Sequence, residues 1–268
     1  MTIAITDFGA PEVPVGIYPP QQDSQLLIDA MSQAGLAPGA RVADLCTGSG
    51  VVAIAAAAAG ASEVSAFDIC PRAVRHARKG AFTDGVNVRV HRGSWFRAVE
   101  FGPFDLVVAN PPYVPQAPAD DSGSIPATAG PAQAWNAGAD GRMVLDPLCA
   151  AAPLLLDEGG TLMVVQSECS NVNKTLSALR GHGMRVEVVA QQFIPFGPVM
   201  SARAQWLFPF VGSQLSSWLQ CTRAMRVSSA ITESASMGAS GTPASASIRA
   251  TCARYASRIV TIDADESR

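Results

Sequence analysis

Charge and aromatic rings are scarce in this chain. Only 15% of its residues are charged and 6% are aromatic, whereas 48% are hydrophobic. A chain this apolar is not disordered as a whole, because burial can offset the entropy lost on folding. A surplus of positive charge is also missing: 19 Lys and Arg stand against 22 Asp and Glu, a formal net charge of -3. No global basic surface advertises nucleic acid as a partner. No apolar run reaches the roughly 18–20 residues that span a bilayer, and residues 51–60, though apolar, are too few. The first 16 residues carry neither a basic nor an apolar leader region, so a cytoplasmic location without a membrane partner is expected. The six cysteines form no Cys-x-x-Cys pair, and none lies at zinc-ligand spacing from the three histidines. They read as free buried thiols in a reducing compartment, and no metal is expected.

What is present is an alternation of short apolar strands and amphipathic helices. Residues 22–34 place Leu26, Leu27, Ala30, Met31 and Ala34 on one helical face, with Asp23 or Ser24 available as the cap. Strands are then expected at 41–46, 63–67, 86–91, 104–109, 161–166 and 185–190. Helices are expected at 51–59, 71–82, 142–156 and 171–180. This order argues for an α/β fold: a mostly parallel, doubly wound, Rossmann-like sheet with helices on both faces. Its ligand edge lies at the carboxyl ends of the strands. Residues 111–140 form a long Pro/Ala/Gly-rich loop, a length usually tied to function. We expect one domain over residues 1–211, N-terminal extension included. Residues 212–268, Ser/Ala-rich over 212–257, read as a flexible tail, with 258–263 as a candidate edge strand.

Two motifs carry chemistry. Asp44-Leu45-Cys46-Thr47-Gly48-Ser49-Gly50 follows a strand and opens a helix. Gly48 and Gly50 allow a sharp turn and a close backbone approach to a ligand. Ala53 stands where the dinucleotide fingerprint has its third glycine, an allowed variant. Asp44 at this turn suits a cationic amine better than a pyrophosphate, and Asp68, ending the next strand, suits ribose hydroxyls. The second motif is Asn110-Pro111-Pro112-Tyr113, directly after the apolar strand at 104–109. The following proline holds Asn110 extended. The Asn110 side-chain carbonyl and the Pro111 carbonyl can accept both hydrogens of a planar NH2 group. Tyr113 offers an aromatic face to that group. Catalysis by such a site is mostly positioning for in-line displacement.

The tetrapeptide, joined to the Asp44–Gly50 loop, resembles the HemK-related N5-glutamine methyltransferases, which modify release factors with S-adenosyl-L-methionine. The tetrapeptide is shared with exocyclic-adenine methyltransferases. Tyr18-Pro19-Pro20-Gln21-Gln22-Asp23-Ser24-Gln25-Leu26-Leu27 and Ala134-Trp135-Asn136-Ala137-Gly138 are similar to flanking segments of one HemK-related branch. The resemblance covers roughly residues 15–205. It implies that Tyr18 and Ser24 close the cofactor pocket and that Asp44, Thr47, Gly48 and Gly50 cradle the methionine part. It also implies that Asp68 holds the ribose, that Ser94 and Trp95 lie at the adenine, and that Asn110 to Tyr113 bind the acceptor amide. Gln22, Ser94 and Ala137 depart from the usual Glu, Asp and Gly. The resemblance admits a release-factor-like protein substrate and, as in some members, a small zinc-bearing activator subunit. The residues alone leave open a small-molecule or adenine N6 methyltransferase, and a silent cofactor-binding scaffold.

Overall fold

A computed structural model describes residues 13–14, 16–118, 125–204, 206–207 and 219–229. Helix α1 (Gln22–Gln33) precedes β1 (Arg41–Leu45), α2 (Val51–Ala58), β2 (Glu63–Asp68), α3 (Pro71–Thr83), β3 (Arg89–Arg92) and β4 (Phe104–Ala109). There follow α4 (Leu145–Leu155), β5 (Leu156–Ser167), α5 (Val172–Gly181), β6 (Met184–Pro195), α6 (Pro198–Ala202) and β7 (Leu219–Ser229). The seven strands form one sheet in the order β3-β2-β1-β4-β5-β7-β6. The first five pair in parallel, and β7 runs antiparallel to both β5 and β6. The expected Rossmann-like sheet is therefore present, with an antiparallel final pair.

The central strands β1, β2 and β4 are buried on both faces because both are covered. Leu106 and Val108 of β4, with Met163 and Val165 of β5, pack under α1, α2 and α3. Val107 and Ala109, with Leu162 and Val164, pack under α4 and α5. Leu27 and Met31 of α1 are fully buried, and burying each such side chain contributes roughly 1.5–3 kcal/mol. Helix α2 can lie this close to α3 only because Gly50 has no side chain. A Cβ there would sit 2.7 Å from Ala77 Cβ, and φ is +87°.

Several expected boundaries shift. Strand β3 begins at Arg89 rather than 86, since it is an edge strand that pairs only with Ser65 to Asp68 of β2. Strand β5 extends back to Leu156 through an irregularity opposite Phe104. The main correction concerns residues 212–257, expected as a linker: β7 lies there and inserts between β5 and β6. Its Cys221, Thr222, Ala224, Met225 and Val227 are buried. Its Arg223 and Arg226 reach across to Gln191 and Glu187 of β6. With both edges paired, a strand flanked by serines still satisfies its backbone. The candidate strand at 258–263 lies outside the described residues. Cys46, Cys70, Cys149, Cys169 and Cys221 are free thiols. Among the described residues no helix is long and apolar enough to cross a membrane.

Candidate active site

The strand order reverses between β1 and β4, and a cleft opens at the carboxyl ends of β1, β2 and β4, where such sheets bind ligands. Counted to its open mouth, the cleft encloses ≈ 1800 Å³.

Its floor is the turn after β1. Asp44 is buried, and its Oδ2 accepts from Thr47 Oγ1 at 2.5 Å and from Ala53 N at 3.0 Å. Burial pushes the Asp44 carboxyl up to about 7 against the pull of those bonds. Cys46 holds φ +59°, a left-handed conformation rare for a residue with a side chain. Such backbone costs of order 1–3 kcal/mol and clusters at functional sites. Asp68 accepts from Gly48 N through Oδ2 and from Cys70 N through Oδ1, both at 2.8 Å. Each carboxylate oxygen keeps acceptor capacity for a further donor. Burial raises the Asp68 pKa as well.

The Asn110–Tyr113 loop leaves β4 with Asn110 half-buried and Pro111 and Tyr113 buried. Asn110 Nδ2 donates to Ser24 Oγ at 3.1 Å. Tyr113 Oη donates to Asp23 Oδ2 at 2.7 Å, and burial holds this phenol well above its ordinary pKa. Burial, with the Asp23 charge, does the same to Tyr18. Cys169 Sγ lies 3.7 Å from the Tyr113 carbonyl.

The long loop is closed at its neck. Val114 and Asn136 form a parallel bridge. Val114 N donates to Trp135 O, Ala137 N to Val114 O, and Gln116 N to Gly138 O. Arg203, almost fully buried, donates from Nη1 to Pro115 O at 2.6 Å. Its guanidinium lies 4.6 Å over the Trp135 ring. Arg142 fastens the far end through Asp146 and the carbonyls of Ser170 and Asn171. Trp135 is thus a loop anchor and a wall of the cleft.

Of the expected site residues, Tyr18, Ser24, Asp44, Thr47, Gly48, Asp68, Trp95 and Asn110 to Tyr113 all line this one cleft. Gly50 does not line it; it serves the α2–α3 contact. Nor does Ser94, whose Oγ instead accepts from Phe96 N as the cap of the short 3-10 helix Trp95–Glu100. Gln22, one of the departures, is exposed and does not line the cleft. Asp23 does not cap α1, which has no side-chain cap. It turns inward to Tyr113, a role that spacing along one helix does not reveal. Gly141 was also missed: a Cβ there would run into the Tyr113 carbonyl and lie 3.2 Å from Pro115.

Residues 20–123 match the family model described as methyltransferase small domain. Over 188 residues the chain is 30% identical to a Methanocaldococcus jannaschii protein provisionally named protein N5-glutamine methyltransferase, covering 70% of this chain and 91% of that one. Over 174 residues it is 34% identical to the release factor glutamine methyltransferase of Deinococcus radiodurans, covering 64% and 61%. The chain spans only 45% to 61% of that and three further bacterial relatives of the same name. Among solved structures it resembles the E. cuniculi Mtq2–Trm112 complex, described as responsible for methylation of the eRF1 translation termination factor. There the TM-score is 0.53 at 20% identity, with 80% of this chain and 99% of that one covered. That likeness speaks to the fold, the class I methyltransferase sheet with its antiparallel end. The sheet, the cleft at its switch point and the relative matched over nearly its whole length agree, and the chain belongs to the HemK-related family of N5-glutamine methyltransferases.

Proposed function

We propose that this chain transfers a methyl group from S-adenosyl-L-methionine to the side-chain amide nitrogen of a glutamine in a protein of the release-factor kind. The observation that carries this reading is the polarity of the catalytic loop. Asn110 gives its NH2 to Ser24. Among the described residues, neither its Oδ1 nor the Pro111 carbonyl accepts a hydrogen bond. Two fixed acceptors are thereby left for the two hydrogens of a planar NH2.

The cleft fits the donor. Asp44 offers a buried carboxylate to an ammonium group, and Asp68 keeps a free lone pair on each oxygen for ribose hydroxyls. Trp95, buried in the wall, offers an aromatic surface to a planar base. Bound, the donor supplies an electrophilic methyl carbon on a positively charged sulfur. The chain's own residues then act by orientation. Asn110 and Pro111 hold the acceptor amide by both N–H groups, so its nitrogen faces the methyl group. Tyr113 covers the amide plane and excludes water. The new C–N bond replaces a C–S bond, and the methylated nitrogen gives up one proton to solvent as the acceptor leaves the cleft. Among the described residues, no side chain of Asn110 to Tyr113 is a strong general base, so positioning supplies most of the acceleration.

The test is a panel of acceptors incubated with methyl-labelled donor: a release factor bearing a Gly-Gly-Gln loop, an adenine-containing oligonucleotide and free glutamine. Each is run with and without a small zinc-bearing partner subunit. Label on the release factor, lost in Asn110→Ala, supports the proposal. Label on the oligonucleotide instead replaces it with adenine methylation. Donor binding without transfer to any acceptor leaves a cofactor-binding scaffold.

A further inference from the structure

The first turn of α1 carries a buried carboxylate, Asp23, that lines the cleft beside the Asn110–Tyr113 loop. Asp23 is 5% exposed and Ser24 8%, and between them they touch both ends of the catalytic tetrapeptide. Asp23 Oδ2 accepts from Tyr113 Oη at 2.7 Å. Asp23 Oδ1 accepts from Ser24 N at 2.7 Å and lies 3.5 Å from Ser24 Oγ. Ser24 Oγ accepts from Asn110 Nδ2 at 3.1 Å.

These contacts have a direction. An ionised carboxylate can only accept. The Ser24 hydroxyl, 3.5 Å from Asp23 Oδ1, is drawn toward that carboxylate by its charge rather than held by a short bond, and a lone pair on Oγ is left for a donor from Asn110. Only the NH2 of the Asn110 amide can donate to it, so its carbonyl Oδ1 is turned to the cleft. A hydroxyl freed from Asp23 could equally donate to Asn110 Oδ1. The amide would then rotate and present its NH2 to the acceptor, donor against donor. The same carboxylate fixes Tyr113 through its hydroxyl.

We infer that Asp23 is a positioning residue which, through Ser24, sets the orientation of the Asn110 amide, and which directly fixes the Tyr113 ring. This rests on the glutamine-amide reading of the site, and it names the group that selects an NH2-bearing acceptor. In this arrangement Asp23 acts through Ser24 and Tyr113 rather than on the reacting atoms. Its loss should lower the rate of transfer while donor binding stays intact.

The test compares Asp23→Asn, Asp23→Ala, Ser24→Ala and Ser24→Thr in the full chain, with donor affinity, kcat and KM measured separately. Asp23→Asn keeps the shape but has one acceptor oxygen where the carboxylate has two, so its NH2 must face either Ser24 or Tyr113. We expect kcat to fall about 10- to 100-fold in Asp23→Asn and Asp23→Ala, with the donor Kd within about twofold. Ser24→Thr, which keeps the hydroxyl, should recover most of the rate lost in Ser24→Ala. A second readout needs no turnover: the Asn110 side-chain 1H–15N pair, assigned by its absence in Asn110→Ala, should shift and exchange faster in Asp23→Asn. Wild-type kcat together with unmoved Asn110 resonances in Asp23→Asn would overturn the inference while leaving the glutamine reading intact. An inactive wild type on every acceptor would sink the glutamine reading, and the Asn110 resonances would still decide the role of Asp23.

Discussion

Replacing Arg203 by alanine should loosen the neck of the long loop. The guanidinium makes one charged hydrogen bond, to Pro115 O at 2.6 Å, and stacks 4.6 Å above Trp135. A hydrogen bond from a charged group is worth about 1.5–3 kcal/mol, and a desolvated cation–π contact about 2 kcal/mol. Against these stands the cost of burying the cation, whose Nε has no partner. The balance is a loss of roughly 2–3 kcal/mol, in the ordinary range for a buried network. If all of it fell on the docked loop, transfer would slow by roughly 30- to 150-fold, which is the ceiling. The assay is thermolysin cleavage between residues 116 and 134, run beside methyl transfer. We expect faster cleavage and a lower kcat in Arg203→Ala, with Arg203→Met, which keeps most of the volume, in between. Cleavage and kcat both at wild-type values in Arg203→Ala would refute the reasoning that this arginine secures the loop.

Further outcomes follow from the turn after β1 and from the loop glycines. Gly50→Ala combines a left-handed φ with a 2.7 Å approach to Ala77, so urea unfolding should show a loss of about 2–4 kcal/mol. Gly48→Ala, whose added Cβ meets nothing nearer than 4.0 Å, should lose only about 1–2 kcal/mol, from its left-handed backbone. Gly141→Ala should lower kcat by pushing on the Tyr113 carbonyl, read in transfer assays below the unfolding range. Asp44, pushed up to about 7 by burial, should be protonated in the free protein at low pH. Donor affinity should therefore rise with pH, by up to about tenfold per unit below that value, and Asp44→Asn should flatten the profile. Stability runs the other way. The raised folded pKa favours the folded state fully below the ordinary carboxylate range, and that contribution is lost as pH rises through about 7.

The parts of the site that follow a strand were legible in the sequence. Asp44, Asp68 and Asn110 each end or follow an apolar run, and parallel topology alone brings three such ends to one edge. Asp23 was legible only as a helix start. Its real partner, Tyr113, is 90 positions away, and no local pattern reports a contact across that distance. Ser94 stands outside the cleft lining for the opposite reason: a local demand, the Phe96 N–H at the start of a 3-10 turn, claims its hydroxyl. Strand β7 was hidden because its Arg223 and Arg226 and its neighbouring serines read as polar linker. In the sheet those arginines lie half-exposed beside Gln191 and Glu187 of β6, while the residues between them fill the core.

The most direct test of the central claim is a mass-spectrometric one. A release factor with a Gly-Gly-Gln loop is incubated with this protein and a donor carrying a deuterated methyl group, beside the same factor with the loop glutamine changed to glutamate. The account predicts one labelled methyl on the side-chain nitrogen of that glutamine, none on the glutamate substrate, and none with Asn110→Ala. Label that persists on the glutamate substrate, or an unchanged yield from Asn110→Ala, would contradict it.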